Sequence, residues 1–386
     1  MTVTLPQALW TKRKDLAGLV AALGEGNARY VGGAVRDTLL GLEVKDIDVA
    51  TPLVPDDVIA RLETVGIRTI PTGIAHGTVT GLLKEGTVEI TTLRHDVSTD
   101  GRRATVAFAN NWRDDAARRD FTINALYADP VSGEIWDYFR GLDDLAARRV
   151  RFIGDPAERI REDHLRILRY FRFQARFGSQ PADSSSEQAC AQLAATLKGL
   201  SRERVGMELM NLLALPDPAS TIARMAELGV LAVVLPEAVP EALAALVEQE
   251  RRQHVAPDSI RRLAALLPTD AELAGQVAAR FRLSTAQKKR LMSAAGRSSN
   301  PPRALAYRLG LDQALDRLLL TGGDIAALSG WTIPVFPLKG GEIVARGVKA
   351  GPQVARLMRE IEAQWIAEGF PDVLRVSQLL DAALGR

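Results

Sequence analysis

Residues 45–51 read KDIDVAT. If this apolar run is a strand, Asp46 and Asp48 project from one face, while Ile47 and Val49 turn to the core on the other. Two adjacent carboxylates repel unless a cation lies between them, and such hard oxygen ligands favour magnesium or manganese. Glu89, in the apolar run TVEITTL, stands ready as a third acid on a neighbouring strand. Metal ions held there would activate a hydroxyl oxygen and steady a leaving pyrophosphate. By itself D-x-D equally suits a strand end facing solvent, so the upstream residues decide. Gly32 and Gly33 follow the apolar ARYV and open a short helix, a place where backbone N–H groups approach a phosphate. Arg36, one turn further, points to the same anion.

These residues need a scaffold. ARYVGG reads as a strand, AVRDTLLG as a short helix ended by Gly41, and DIDVAT as a second strand. PDDVIARLETVG opens with proline and acids and closes with glycine, the asymmetry of a helix. IRTIPTG follows, then TVTGLLK and TVEITTLR around Glu85–Gly86, a hairpin signal. The expectation is a small antiparallel or mixed sheet with helices on one side. Residues 94–118 are polar with little periodicity and read as a mobile loop, in which Phe108 and Trp112 either stack on nucleic acid or anchor the loop. RRDFTINALY reads as a further helix start, with Phe121, Ile123 and Leu126 in the core. From about Asp143 the 3.6-residue period dominates, with breaks at 178–186, 214–218 and 296–302.

The chain of 386 residues suits two to four domains, and 47% hydrophobic with 25% charged residues is an ordinary soluble composition. No run approaches the roughly 20 apolar residues of a membrane span, and the first residues lack the apolar core of a secretory signal. The lone Cys190, in a helical Ala/Leu pattern, excludes an intramolecular disulfide or a cysteine cage and fits packing in a reducing compartment. The cytoplasm is the expected location, a mitochondrial one the other reading. Net charge is +2, yet residues 140–176 hold ten arginines, no lysine and six carboxylates. That pattern suits either planar contacts to phosphates and bases or a helix laced with ion pairs.

GGAVRD, KDIDVAT, RRDFTINALY and EDHLRILRYFRF, in this order and spacing, resemble the class II tRNA nucleotidyltransferases, the CCA-adding enzymes grouped with bacterial poly(A) polymerases. The likeness is strong over 28–210, including LSRERVGMEL, and weaker beyond, with LKGGEIVARGVKAGPQVARLM similar to tail segments of the family. It implies an α+β fold: a polymerase-β-like nucleotidyltransferase head with a mixed sheet, then a wholly helical neck, body and tail. The expected parts are a catalytic head at 1–142, a base-recognising neck at 143–212, a body at 213–296 and an RNA-binding tail at 297–386. The activity implied is template-independent addition of CCA to tRNA 3′ ends from CTP and ATP, with release of pyrophosphate.

The resemblance also assigns roles. Asp46 and Asp48 become the ligands of Mg2+, with Mn2+ as substitute, and Glu89 the third catalytic acid. Gly32, Gly33 and Arg36 hold the nucleotide. Arg119, Asp120 and Asn124 contact the incoming nucleotide and its ribose; the plainer reading of that segment is a helix start capped by Asp120 and paired with Arg119. On a helix, Glu162, Asp163, Arg166 and Arg169 share one face, with Ile167, Leu168, Phe171 and Ala175 opposite. Ion pairs explain that pattern adequately, but the family sets Asp163 and Arg166 against the edge of the base. Cytosine and adenine both present an amino donor beside an unprotonated ring nitrogen, which a carboxylate and a guanidinium match; uracil and guanine reverse both features. Arg169 and Arg172 continue toward the nucleotide. His76 is expected to orient or pack, and His164 to pack. Partial addition of C or A, poly(A) synthesis, and a non-catalytic RNA-binding protein are the alternatives. The substantial 94–118 segment and the near-neutral C-terminus favour full CCA addition, and the intact acids and arginines argue for catalysis. The expected partners are tRNA, CTP and ATP, with no membrane, on a monomer or homodimer.

Overall fold

The computed structural model describes residues 3–99, 104–109, 111–297 and 300–385, and of Ala75, 95–99 and 104–108 the backbone alone. Its contacts divide the chain into Met1–Pro236 and Glu237–Arg386.

In the first unit, α1 (Lys14–Leu23) precedes β1 (Arg29–Val31), α2 (Gly33–Leu39), β2 (Ile47–Thr51), α3 (Pro55–Thr64), β3 (Arg68–Gly73), β4 (Thr78–Leu83) and β5 (Gly86–Thr92). Local signals predict each of these elements except α1 and β3. In α3, for example, a proline and two aspartates occupy the first turn and Gly66 follows the last at φ +75°. The sheet is mixed, in the order β3–β4–β5–β2–β1, and continues into two strands defined below. Strand β2 runs parallel to β5, and the other pairings are antiparallel.

Alternation sorts the residues of this sheet by face. Val49, Val79 and Ile90 are buried on one side. There a Cβ on Gly81 would meet Leu19 of α1 at 3.2 Å and Leu62 of α3 at 3.9 Å, so the missing side chain lets both helices lie close. The opposite face carries Asp48, Glu89 and Thr80 in one register row.

In its described residues the segment 94–118 is not the loop expected; 100–103 and 110 lie outside them. It contains β6 (Arg94–Thr99) paired antiparallel with β7 (Ala104–Phe108), then α4 (Trp112–Ala117). A two-strand ribbon outside the main sheet satisfies backbone groups by self-pairing, and Ala104, Val106 and Phe108 of ATVAF are the short period-2 signal for it. The side chain of Phe108 lies outside the described residues. Trp112 anchors: it packs beside the buried Val31, Ala50, Ala116 and Tyr127. Helix α4 therefore covers part of the face opposite α1 and α3, so helices flank both sides.

RRDFTINALY is likewise not a helix start. It forms a 3-10 turn at Thr122–Asn124 and then β8 (Leu126–Ala128), which pairs β1, while β9 (Ile135–Asp137) forms the edge. Three-residue strands are too short to show alternation. Phe121, Ile123 and Leu126 are core, as expected.

Beyond the sheet come α5 (Gly141–Ala146), α6 (Pro156–Glu162), α7 (Arg166–Phe177), α8 (Ser184–Leu193) and α9 (Arg202–Leu213), followed by helices Ala219–Glu227 and Val230–Val234. The continuous helix expected through EDHLRILRY is broken at Asp163, whose φ −146° and ψ 106° are extended. The Asp163 carboxylate accepts from the backbone of Leu165 at 3.1 Å, a local bond that competes with helix continuation. Ile167, Leu168 and Phe171 of α7 are buried, and Cys190 of α8 is fully buried.

The second unit is helical: Glu241–Arg252, Ser259–Leu266, Ala271–Arg280, Thr285–Ala295, Pro302–Leu309 and Leu311–Leu320, then Gly340–Ala345, Pro352–Ala367 and Val373–Ala383. Its final helices pack around Ile343, Ile361, Trp365 and Leu380. Among the described residues no helix is long and apolar enough to cross a membrane.

Candidate active site

Asp46 stands one residue before β2 and is exposed; Asp48, inside the strand, is half-buried. Asp48 lies directly beside Glu89 of β5, because β2 and β5 run parallel in that register. Burial, reinforced by the Glu89 and Asp46 charges and opposed by Arg119, pushes the Asp48 carboxyl up to about 6. The three acids are thus a local excess of negative charge on an open sheet face. Among the described residues no three His, Cys, Asp or Glu side chains close a ready-made metal cage.

Beside this row the chain leaves β1 through Gly32, at φ +69° and ψ −121°, conformations open to glycine. A Cβ there would sit 3.4 Å from Arg119 and 3.6 Å from the Asn124 carbonyl. Arg36 does not project into the open. It is buried, donates to Asp37 at 2.7 Å and to Asn124, and lies 4.1 Å over the Phe177 ring. Its role at this corner is to tie α2 to the Thr122–Asn124 turn and to α7.

Arg119 pairs not with Asp120 but with Asp115, at 3.3 Å, and bonds the Tyr127 hydroxyl at 3.1 Å. Asp115 is fully buried and also accepts from Tyr127 at 2.6 Å and Arg118 at 2.8 Å. Asp120 accepts from the Phe121 amide at 2.9 Å, from Asn124 at 3.0 Å, and from Arg169 at 2.9 and 2.5 Å. Burial alone would raise the Asp120 carboxyl, but Arg169 and these bonds hold it down at about 2. Asp120 therefore fastens α7 to the turn rather than capping a helix.

The arginine ladder of α7 is paired along its length. Arg166 meets Glu162, Arg169 meets Asp120, Arg172 reaches Glu208 at 2.7 Å, and Arg176 reaches Asp37 at 3.3 Å. Asp163 and Arg166 flank the break between α6 and α7. Arg204 of α9 donates to Asp163 at 3.0 Å, and Arg166 donates to the Arg118 carbonyl at 3.1 Å. His164 is half-buried with its Nδ1 enclosed and unbonded, while His76 is exposed. Asp115, Arg204 and the buried Glu208 were not singled out from sequence. An acid on the otherwise apolar face of RERVGMEL was the available signal for Glu208.

The family model described as the Poly A polymerase head domain matches residues 28–151, and that of the probable RNA and SrmB-binding site of polymerase A matches 183–241. The mitochondrial CCA tRNA nucleotidyltransferase 1 of Mus musculus is 34% identical over 396 residues, covering 94% of this chain and 88% of its own. Its Homo sapiens counterpart is 34% identical over 369 residues, covering 89% and 83%. The crystal structure of the Bacillus stearothermophilus CCA-adding enzyme in complex with CTP superposes with a TM-score of 0.72 at 26% identity, over 97% of this chain and 98% of that one. The glycine corner and the carboxylate row fall within the matched head, and with relatives this similar over nearly the whole chain, the protein belongs to the CCA tRNA nucleotidyltransferase family, built on a poly(A) polymerase head.

Proposed function

We propose that the protein adds C, C and A to tRNA 3′ ends from CTP and ATP, releasing pyrophosphate. The observation that carries this reading is the row of Asp48 and Glu89 on an open sheet face, next to Asp46 and the Gly32 corner. Asp46 and Asp48 would hold Mg2+, or Mn2+ in its place, with Glu89 beside Asp48 as the third catalytic acid. Bound there, the metal supplies Lewis-acid stabilisation of phosphate charge and lowers the pKa of the attacking hydroxyl. Gly32 and Gly33 leave room for the triphosphate. Arg119 brings a cation toward it, and Asp120 and Asn124 fix the turn beside the ribose. Asp163 and Arg166 read the base edge, and Arg169 and Arg172 hold α7 in place beneath them. Positioning and fixed charge carry the catalysis, with no covalent intermediate.

Within this reading, residues 1–142 form the catalytic head, 143–212 the neck, 213–296 the body and 297–386 an RNA-binding tail, and the protein works in the cytoplasm. Labelled CTP and ATP supplied with a tRNA lacking its last three nucleotides test the function. Ordered incorporation of C, C and A supports it. Addition of C or A alone, long A tails on varied RNA, or no transfer with magnesium present each overturns it in favour of a different activity.

A further inference from the structure

Arg159 lies in the last turn of α6, away from the carboxylates. Its Nη1 donates to the Ala117 carbonyl at 3.0 Å, and its Nη2 pairs with Glu162. Its own carbonyl accepts from Nη1 of Arg166 at 2.9 Å. Arg166 in turn pairs with Glu162 through Nη1 and donates from Nη2 to the Arg118 carbonyl. Two guanidiniums, one carboxylate and the last carbonyls of α4 thus form a closed ring. Both cations sit at the C-terminal end of α4, where the exposed carbonyls favour positive charge.

The ring fixes which edge of Arg166 remains free. A guanidinium has five N–H donors in a rigid plane. Three are engaged by Arg159, Glu162 and Arg118, leaving Nε and one Nη2 hydrogen without a partner among the described residues. The backbone carbonyl at 159, which any residue there keeps, holds one Arg166 donor, and the Arg159 side chain adds to this through its shared claim on Glu162 and its bond to Ala117. Without its side chain, α6 loses its bond to α4, and Glu162 is left with Arg166 as its one cation.

We propose that Arg159 is a positioning residue for nucleotide selection: it orients the free edge of Arg166 toward the base without touching the nucleotide itself. The inference rests on the base-reading role proposed for Asp163 and Arg166. A misplacement of about 1 Å in a hydrogen-bonding group can cost on the order of a hundredfold in an enzyme site, so a loosened Arg166 should be visible in selectivity before it is visible in folding.

The test measures kcat and KM for CTP, ATP and UTP in Arg159→Ala, Arg159→Lys and Arg166→Ala, with thermal melting of each. For Arg159→Ala the expected result is a CTP-over-UTP preference lower by about tenfold, raised KM for CTP and ATP, and kcat within about threefold of the parent. Arg159→Lys, which keeps a cationic donor for the Ala117 carbonyl, should recover most of the preference. Should Arg159→Ala fail to fold, Arg159→Gln is read by the same ratio. Unchanged selectivity, or a loss confined to kcat or melting temperature, overturns the role of Arg159. If Arg166→Ala also keeps full selectivity, the base-reading proposal itself fails; if Arg166→Ala is relaxed and the Arg159 variants are not, the fault lies with Arg159 alone.

Discussion

Arg169 donates to one oxygen of Asp120 from both Nε and Nη2, at 2.9 and 2.5 Å, and so joins α7 to the turn that follows Arg119. The pair links the arginine-bearing helix to the sheet. The carboxyl of Asp120 is held at about 2, against an ordinary 3.8. A depressed folded-state value contributes stability that is present above about pH 3.8 and lost as pH falls through about 2. The size is roughly 2 kcal/mol.

Asp120→Asn should therefore flatten the acid limb of stability between about pH 4 and 2 and lower it by about 2 kcal/mol at neutral pH, since Arg169 keeps only the longer 3.8 Å contact to Glu208. Urea unfolding at several pH values measures both. A mutant-to-parent difference that does not change with pH in that window would refute the assignment.

Asp48 presents the reverse case, an acid placed among other acids. Asp48→Asn should abolish nucleotide transfer, by about a thousandfold or more, while leaving the melting temperature equal or higher without metal, because a partly buried anion beside Glu89 is removed. Added magnesium should raise the melting temperature of the parent and not of the variant. An active variant, or equal magnesium shifts in both, would remove the metal role.

Swapping the acid at the α6–α7 break should alter nucleotide choice. Asp163→Asn presents an amide in place of a pure acceptor and should raise UTP incorporation relative to CTP by about tenfold or more. Arg204→Ala, which frees Asp163 from its 3.0 Å partner, should move the ratio in the same direction by less. Kinetics with CTP and UTP on a tRNA lacking its last two nucleotides would show it; an unchanged ratio in Asp163→Asn rules out base reading at this residue.

Gly32→Ala tests the corner after β1. The added Cβ meets nothing closer than 3.4 Å, so the cost is one of backbone conformation, about 1–3 kcal/mol at φ +69° and ψ −121°. A melting temperature lowered by several degrees with a raised KM for both nucleotides is expected. A variant as stable as the parent would mean that the corner is not held in that conformation.

Much of this architecture is legible in local order along the chain. Gly86–Thr92 alternates, Ile47–Thr51 opens apolar–acid–apolar, α3 carries proline and acids at its start, and Gly32–Gly33 with D-x-D forecast a phosphate corner beside paired carboxylates. These signals are visible because each depends on neighbours within a few residues. The paired strands β6 and β7 and the three-residue strands β8 and β9 were not legible, since their partners, more than their own periodicity, make them strands.

Side-chain partners divide the same way. From EDHLRILRYFRFQARF the residue types and a helix were readable, with Ile167, Leu168 and Phe171 inward. What each arginine meets was not: Asp120 is 49 positions from Arg169, Glu208 is 36 from Arg172, and Asp37 is 139 from Arg176. The amino-acid order thus determined the chemistry on offer, the carboxylates, glycines and guanidiniums and the elements bearing them. Only the tertiary structure decided which charge faces which, because ion pairing depends on distance in space, and packing of the apolar faces sets those distances without leaving any mark on the spacing of the charged residues themselves.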